Sequence, residues 1–385
     1  MKATGKRGLA LILALVLVIG MLAGCGNRVP SKVKPEDYAK TEVASFGDQK
    51  IYLHEANLFA RLQQYYSEAI YKAFFGDEFW TMEIAQDTTL EKSTKEDVMA
   101  AILQTYLLNS HAEEKGVSLT DADKEKVQKS VKDFFETSSE TLLKVVPMTE
   151  EQLTPIFERN ALANKVYEAV VADIDTNVPE DEYRQVAVQY LAFADDPNES
   201  QPESTEADKE ETPKETPKER AQKAVERLNS GEKIEDIAKE MEKTVGTGSY
   251  TRSDATLTGL AGEARTMAEG ENKVVEVDGS TFYAVHCTSD NDEKSNETKK
   301  ESILETRRAD LFKQVVTEWQ KTMPKFTVQE GVWSLITFAD TPIYVAPTQP
   351  ETTAPASTEA PASTEAPAST EAPATTEAPA STAAN

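Results

Sequence analysis

Two stretches of this chain show regular spacing of apolar and polar positions, divided by a stretch that shows none. The first opens with Val43-Ala44-Ser45-Phe46-Gly47-Asp48-Gln49-Lys50-Ile51, a short β segment that turns at Gly-Asp. It leads into a helix whose apolar face is Leu58, Phe59, Leu62, Tyr66, Ile70 and Phe74. A second helix is expected over about 95–115, stopping at Gly116 as a helix C-terminus does. Thr120 with Asp123 resembles a capping box for a third helix carrying Val127, Val131 and Phe134. Thr149 with Gln152 does the same for a fourth, which carries Leu153, Ile156, Phe157, Val166, Tyr167 and Val170 and fades near Asp175.

The second stretch starts with the strand-like Val186-Ala187-Val188-Gln189-Tyr190-Leu191-Ala192-Phe193. Over 195–220 the pattern stops: Pro197, Pro202, Pro213 and Pro217 sit among many acids, and the segment reads as a disordered loop insertion. A helix around 221–228, a break at Gly231 and a helix with Ile234, Ile237, Ala238 and Met241 follow. Strands are expected over 273–277 and 281–287, joined at the hairpin signal Asp278-Gly279. The order β, α, α, β, β describes a small α+β unit. A last amphipathic helix over about 302–323 carries Ile303, Leu304, Leu311, Phe312, Val315 and Trp319, large side chains that need a partner surface. The fold class expected is therefore α+β. It comprises a helical module over 40–178, an α+β domain over 186–290 interrupted at 195–220, and a helix at 300–323 that returns to the first module.

The two ends differ from this. Lys2, Lys6 and Arg7 precede an unbroken apolar run over 9–19, too short for a comfortable membrane span and built like an export signal over 1–24. The run ends in Leu22-Ala23-Gly24-Cys25, which resembles the lipobox of bacterial lipoproteins, where the Cys receives a diacylglyceryl group. Two acyl chains anchor stably, each buried methylene adding about 0.8 kcal/mol. This implies a cell-membrane, lipid-anchored location on the extracytoplasmic face. Over 346–385 the hexad Ala354-Pro355-Ala356-Ser357-Thr358-Glu359 recurs. With proline every sixth residue and few side chains larger than Thr or Glu, this tail lacks the apolar surface to offset the entropy of ordering. It reads as a solvated tail or as a Ser/Thr-rich stalk.

Charge narrows the partners. With 41 basic against 67 acidic residues the net charge is −26, which disfavours nucleic acid and suits a cationic or unfolded polypeptide. Two cysteines, Cys25 and Cys287, and three histidines, His54, His111 and His286, make neither a disulfide framework nor a thiolate zinc site, and nothing calls for a cofactor.

Val43-Ala44-x-x-Gly47-x-x-x-Ile51, with Leu107-Leu108-x-x-x-Ala112-x-x-x-Gly116-Val117-x-Leu119-Thr120, resembles the N-terminal chaperone module of SurA and PrsA-type foldases. Residues 186–287 resemble a divergent parvulin domain, the peptidyl-prolyl isomerase module of that family. Ala224-x-x-x-Leu228-x-x-Gly231-x-x-Ile234-x-x-Ile237-Ala238-Lys239-Glu240 matches its two-helix stretch, and Glu269-Gly270-Glu271 with the final hairpin its end. The resemblance covers about 40–323 and rests on apolar and Gly positions.

The resemblance implies a pocket with two hydrogen-bonded histidines, a Cys or Asp, and apolar residues around a proline ring. Here Tyr190 stands at the first histidine and Tyr283 at the second, and the Cys or Asp has no match in the Gly246-Thr247-Gly248-Ser249-Tyr250 loop. His286, three residues past Tyr283, falls on the opposite strand face. Tyr190 and Tyr283 are either substrate-binding hydroxyls or plain strand aromatics; Tyr250 and Met267 either line the proline site or belong to the core. Enzymatic activity is thus left open. The favoured expectation is a membrane-anchored extracytoplasmic chaperone for exported polypeptides with a degenerate isomerase domain. The alternatives are an active prolyl isomerase with an atypical pocket, and a surface-binding lipoprotein unrelated to folding. Replacement of Cys25→Ser should leave the protein unprocessed or release it from the membrane fraction on lysis; a variant processed and membrane-bound like the parent would refute the lipobox reading.

Overall fold

The computed structural model describes residues 32–194 and 215–344. The expected signal segment with Cys25, most of the acidic insertion and the tail over 346–385 lie outside the described residues.

Strands β1 (Glu42–Phe46) and β2 (Gln49–Tyr52) form an antiparallel hairpin. Gly47 turns it at a φ of +58°, where a side chain would be strained and would also press on Pro324. Helix α1 (Leu53–Phe75) continues from β2, and a small hairpin of β3 (Glu83–Ala85) and β4 (Thr88–Thr89) leads to α2 (Leu90–Ser110). That helix starts earlier than apolar spacing predicts because the Thr89 hydroxyl accepts from the Lys92 N–H at 3.3 Å and caps it. It also ends earlier, the chain reaching Gly116 through turns. Helices α3 (Asp121–Thr137), α4 (Glu140–Val145) and α5 (Glu150–Val171) complete the module. Both capping boxes form, with Thr120 and Asp123, and Thr149 and Gln152, bonding each other reciprocally.

After the single turn α6 (Glu180–Tyr183) comes β5 (Gln185–Phe193). Helix α7 (Pro217–Asn229) begins inside the stretch expected to be a disordered loop up to 220. Thr216 and Glu219 build a third capping box there, and Pro217 takes the first helical position, where its missing N–H costs nothing. Then follow α8 (Ile234–Glu240), β6 (Gly246–Thr251), α9 (Gly259–Ala264), β7 (Asn272–Glu276) and β8 (Phe282–Ser289). The Gly246 to Tyr250 segment, expected as a loop, is therefore a strand, and a helix follows it. The sheet has the order β6-β5-β8-β7 with antiparallel neighbours throughout. Between β7 and β8 the turn spans five residues, 277–281, rather than the three left between the expected strands. The Asp278 carboxylate closes it by accepting from the Ser280 and Thr281 N–H groups, which hold its pKa down to about 2.

Helix α10 (Glu293–Gln320) starts well before the apolar pattern does. Its polar first turns are held by Asn296, whose Oδ1 accepts from the Gln185 N–H at 2.6 Å. Its far half enters the first module: Val316 is fully buried, Phe312 meets Tyr167 edge to face at 4.9 Å, and Trp319 stacks on His111 at 4.0 Å. Strand β9 (Phe326–Val328) then pairs with β1, giving a second sheet of order β2-β1-β9, and α11 (Glu330–Trp333) closes over it. The fold is α+β.

One ion pair ties the module together. Glu55 on α1 is 3% exposed; Tyr106 of α2 donates to it at 3.0 Å and Arg159 of α5 at 3.2 Å, with the guanidinium over the Tyr106 ring. Burial pushes the Glu55 carboxyl up, against the opposing pull of Arg159. Replacement of Arg159→Met strands that carboxylate and should cost about 3 kcal/mol of stability at neutral pH, read by urea denaturation. A carboxyl raised above its unfolded value favours the folded state when protonated, so the deficit should shrink as pH falls through it. A pH-independent deficit would place the loss elsewhere.

Candidate functional site

The four-stranded sheet has two covered faces, set by strand alternation. Leu191, Phe193, Phe282 and Ala284 face α7 and α8 in one apolar cluster. Val186, Val188, Val285 and Cys287 face the other way, with Ala264 of α9. Tyr190, Tyr250, Met267 and Tyr283 all pack on that second cluster, so the four positions singled out from sequence share one face. Met267 is buried at 1% exposure and the three tyrosines are half-buried. Tyr190 and Tyr283 meet edge to face, centroids 5.5 Å apart at 80°, and no hydrogen bond joins their hydroxyls. Burial raises the Tyr250 pKa, and the neighbouring Tyr190 and Tyr283 add to the rise. His286 lies on the opposite face in register with Gln189, its Nδ1 2.7 Å from Asn272 Oδ1. Cys287 is a buried free thiol pushed up in pKa by burial.

Gly246 and Gly248, which fall in the stretch expected as a loop, decide where the rings go. Gly246 pairs with Tyr190 across β5 and β6, and a Cβ on it would fall inside the Tyr190 ring; a Cβ on Gly248 would fall inside Tyr250. The two aromatic rings therefore occupy the space that side chains on β6 would take. Their signal in sequence is the alternation Gly-x-Gly-x-Tyr, a strand whose inward positions are empty. Three hydroxyls gathered this way can donate and accept hydrogen bonds. None has an imidazole or carboxylate partner among the described residues.

A different surface lies on the first module. Tyr66, Ile70 and Phe74 of α1, expected as part of its buried apolar face, are exposed, Phe74 by 80%. They form one row at four-residue spacing, and Tyr71 and Phe75 a second, their rings 6.4 Å apart. Met82 and Ile84, at the β3–β4 hairpin, are exposed as well. The helix outruns what covers it: Leu58 is fully buried and Phe59 and Leu62 are half-buried, but past Glu68 the outward row is exposed. Exposed carboxylates at Glu78, Glu83 and Asp87 belong to the residues that follow. Sequence spacing identified the row as apolar; what it could not show was that the other helices stop short of it.

Among the described residues no group of three or more His, Cys, Asp or Glu is placed to hold a metal, and no helix is long and apolar enough to cross a membrane. The fit of Tyr190 over Gly246 is testable. Gly246→Ala should destabilise the chain by about 1–3 kcal/mol through overpacking, and adding Tyr190→Ala should recover much of that loss. Additive losses in the double-mutant cycle would show that the ring does not depend on the empty position.

No protein-family model matches the chain, and no curated protein matches it. Among solved structures it is similar to one of two SurA-like chaperones of Campylobacter jejuni, with 8% identity over 75% of this chain and 99% of that one and a TM-score of 0.27. It is also similar to the peptidylprolyl isomerase PrsA of Bacillus cereus (14% identity, 63% and 92% of the two chains, TM-score 0.30). PrsA of Bacillus subtilis gives 14% identity, 60% and 86% of the two chains and a TM-score of 0.21. Likeness at this level carries no function across.

Proposed function

We propose that the chain is an extracytoplasmic chaperone, lipid-anchored at Cys25, that binds exported polypeptides before they fold. The observation that carries this reading is the double row of exposed aromatic and aliphatic side chains on α1. Soluble proteins rarely leave such a row uncovered unless it binds something apolar. Rigid helix presentation suits a client that is itself unordered, because only the client loses conformational freedom on contact. Acidic residues beside the row and a net charge of −26 favour clients with basic flanks, whose encounter is then faster at low ionic strength.

The α+β unit serves as a binding or structural element in this reading. Tyr190 and Tyr250 fill the trough above Gly246 and Gly248, and among the described residues no paired acid and base faces it, which supports a lack of isomerase chemistry. A fold with an altered site carries no activity by shape alone.

The test is suppression of aggregation of several unfolded clients by the full chain, with Phe74→Ser and Phe75→Ser combined as the variant. Both side chains are exposed, so the variant should fold normally. Each buried aromatic contact is worth roughly 1.5–3 kcal/mol, so the double change should raise the concentration needed for half suppression about tenfold or more. Undiminished suppression would remove α1 as the client surface. The same preparation should leave the rate of X-Pro isomerisation in a test peptide near its uncatalysed value of tens of seconds; robust turnover would favour an active isomerase.

A further inference from the structure

One face of α1 is polar and yet buried. Asn57, Arg61, Gln64 and Glu68 recur at four, three and four residues, and none is more than 6% exposed. The segment from Thr337 to Tyr344, an irregular stretch outside the sheets that turns between Phe338 and Thr341, covers Arg61, Gln64 and Glu68, while Asn57 donates to the Val145 carbonyl at 2.7 Å. Arg61 donates to the Thr337 carbonyl at 2.8 Å, and Gln64 to the carbonyls of Phe338 and Thr341 at 3.2 and 2.7 Å. One oxygen of Glu68 accepts both the Ile343 and Tyr344 N–H groups, at 2.8 and 2.7 Å. Its other oxygen takes Gln64 at 2.7 Å and the Trp80 indole at 3.3 Å.

Every one of these contacts to the segment is to its backbone. Three side chains of the segment add anchors: Phe338 sits edge to face on Trp80 at 4.8 Å, Ile343 is fully buried with Leu58, Val131 and Leu153, and Tyr344 meets Tyr65 at 5.5 Å. The carbonyl before Pro342 and the N–H after it are both held, so the rail brackets an X-Pro unit. The segment does not use the rail fully, because Asn57 Oδ1 and Arg61 Nε are buried with no hydrogen-bond partner among the described residues. A main-chain rail of this kind accepts any sequence with the right backbone and two or three apolar anchors.

We propose that the Asn57–Arg61–Gln64–Glu68 face of α1 is a peptide-binding site whose resident ligand is the chain's own 337–344 segment. The class of ligand that replaces it is a client segment carrying proline, then an aliphatic and then an aromatic residue. This rests on the reading that the chain binds polypeptides. The site lies on the same helix as the exposed row, and Tyr65, which receives Tyr344, adjoins Tyr66 at 6.3 Å between ring centroids. A segment with no strand partner opens locally at lower cost than the helices beneath it. While it stays in place, it reduces the apparent affinity for any competitor by the fraction of time the rail is free.

The probe is a fluorescein-labelled peptide with the sequence of residues 336–345, titrated into the full chain. Ile343→Asp removes the internal anchor without touching the rail, so it should raise the affinity for the peptide about tenfold or more over the wild type. A peptide with Ile343 and Tyr344 changed to Asp should not bind. Absence of saturable binding to the folded Ile343→Asp chain overturns the site. Hydrogen exchange of the wild type decides the matter if that variant does not fold. The Ile343 and Tyr344 amides should exchange about a hundredfold faster than buried α1 amides, and faster still with excess peptide. Exchange at the same rate as α1 would make the segment a permanent part of the core and end the proposal. A chain that suppresses aggregation yet fails here would keep the exposed row as its client surface and lose only this site.

Discussion

A buried polar atom must find a partner, and along α1 that demand is made at residue after residue. Leaving any one of these groups dry and unpaired costs about 1–3 kcal/mol. Glu55 therefore fixes where α2 and α5 pass, through Tyr106 and Arg159. Asn57 takes the Val145 carbonyl at the end of α4 at 2.7 Å, and Arg61, Gln64 and Glu68 take the closing segment. Apolar packing around Val43, Leu103, Val166 and Phe338 supplies the bulk of the stability but is indifferent to direction. The polar contacts select one arrangement among the many that such packing would tolerate.

How legible this was depends on what kind of signal each element sends. Capping boxes are local chemistry, and Thr120, Asp123, Thr149 and Gln152 formed theirs as spaced. Strand β5 and the hairpin of β7 and β8 are apolar on both faces because helices cover both, so their composition betrays them. Strand β6 sends no such signal: its inward positions are Gly246 and Gly248, and the apolar matter above them belongs to Tyr190 and Tyr250. The early turns of α10 are equally silent, since Asn296 holds them by a hydrogen bond to a residue more than a hundred positions away.

The site shows the same division. The resemblance to parvulins is what brings Tyr190 and Tyr283 together in sequence, and strand alternation sends His286 to the other side. It cannot say that the rings fill the trough rather than line it, because that depends on two glycines opposite. On α1 the spacing of Leu58, Phe59, Leu62, Tyr66, Ile70 and Phe74 is uniform, yet burial ends partway along. Periodicity reports which residues share a stripe; which of them are covered depends on how far the neighbouring helices reach. The rail of Asn57 to Glu68 was hidden for the opposite reason, since four polar residues at helical spacing look like a solvated face until a distant segment is laid over them.

The pairing of β1 with β9 and the bond from Arg61 to Thr337, 276 residues apart, close the first module with the last of the described residues. The whole α+β unit lies between them in the chain. Loop closure over such a span is slow, and little is gained until both ends are present. Until those residues are in place, β1 lacks its β9 neighbour, and Arg61, Gln64 and Glu68 lack the backbone groups of 337–344. Completion of the first module therefore waits on residues that lie almost three hundred positions beyond its first strand.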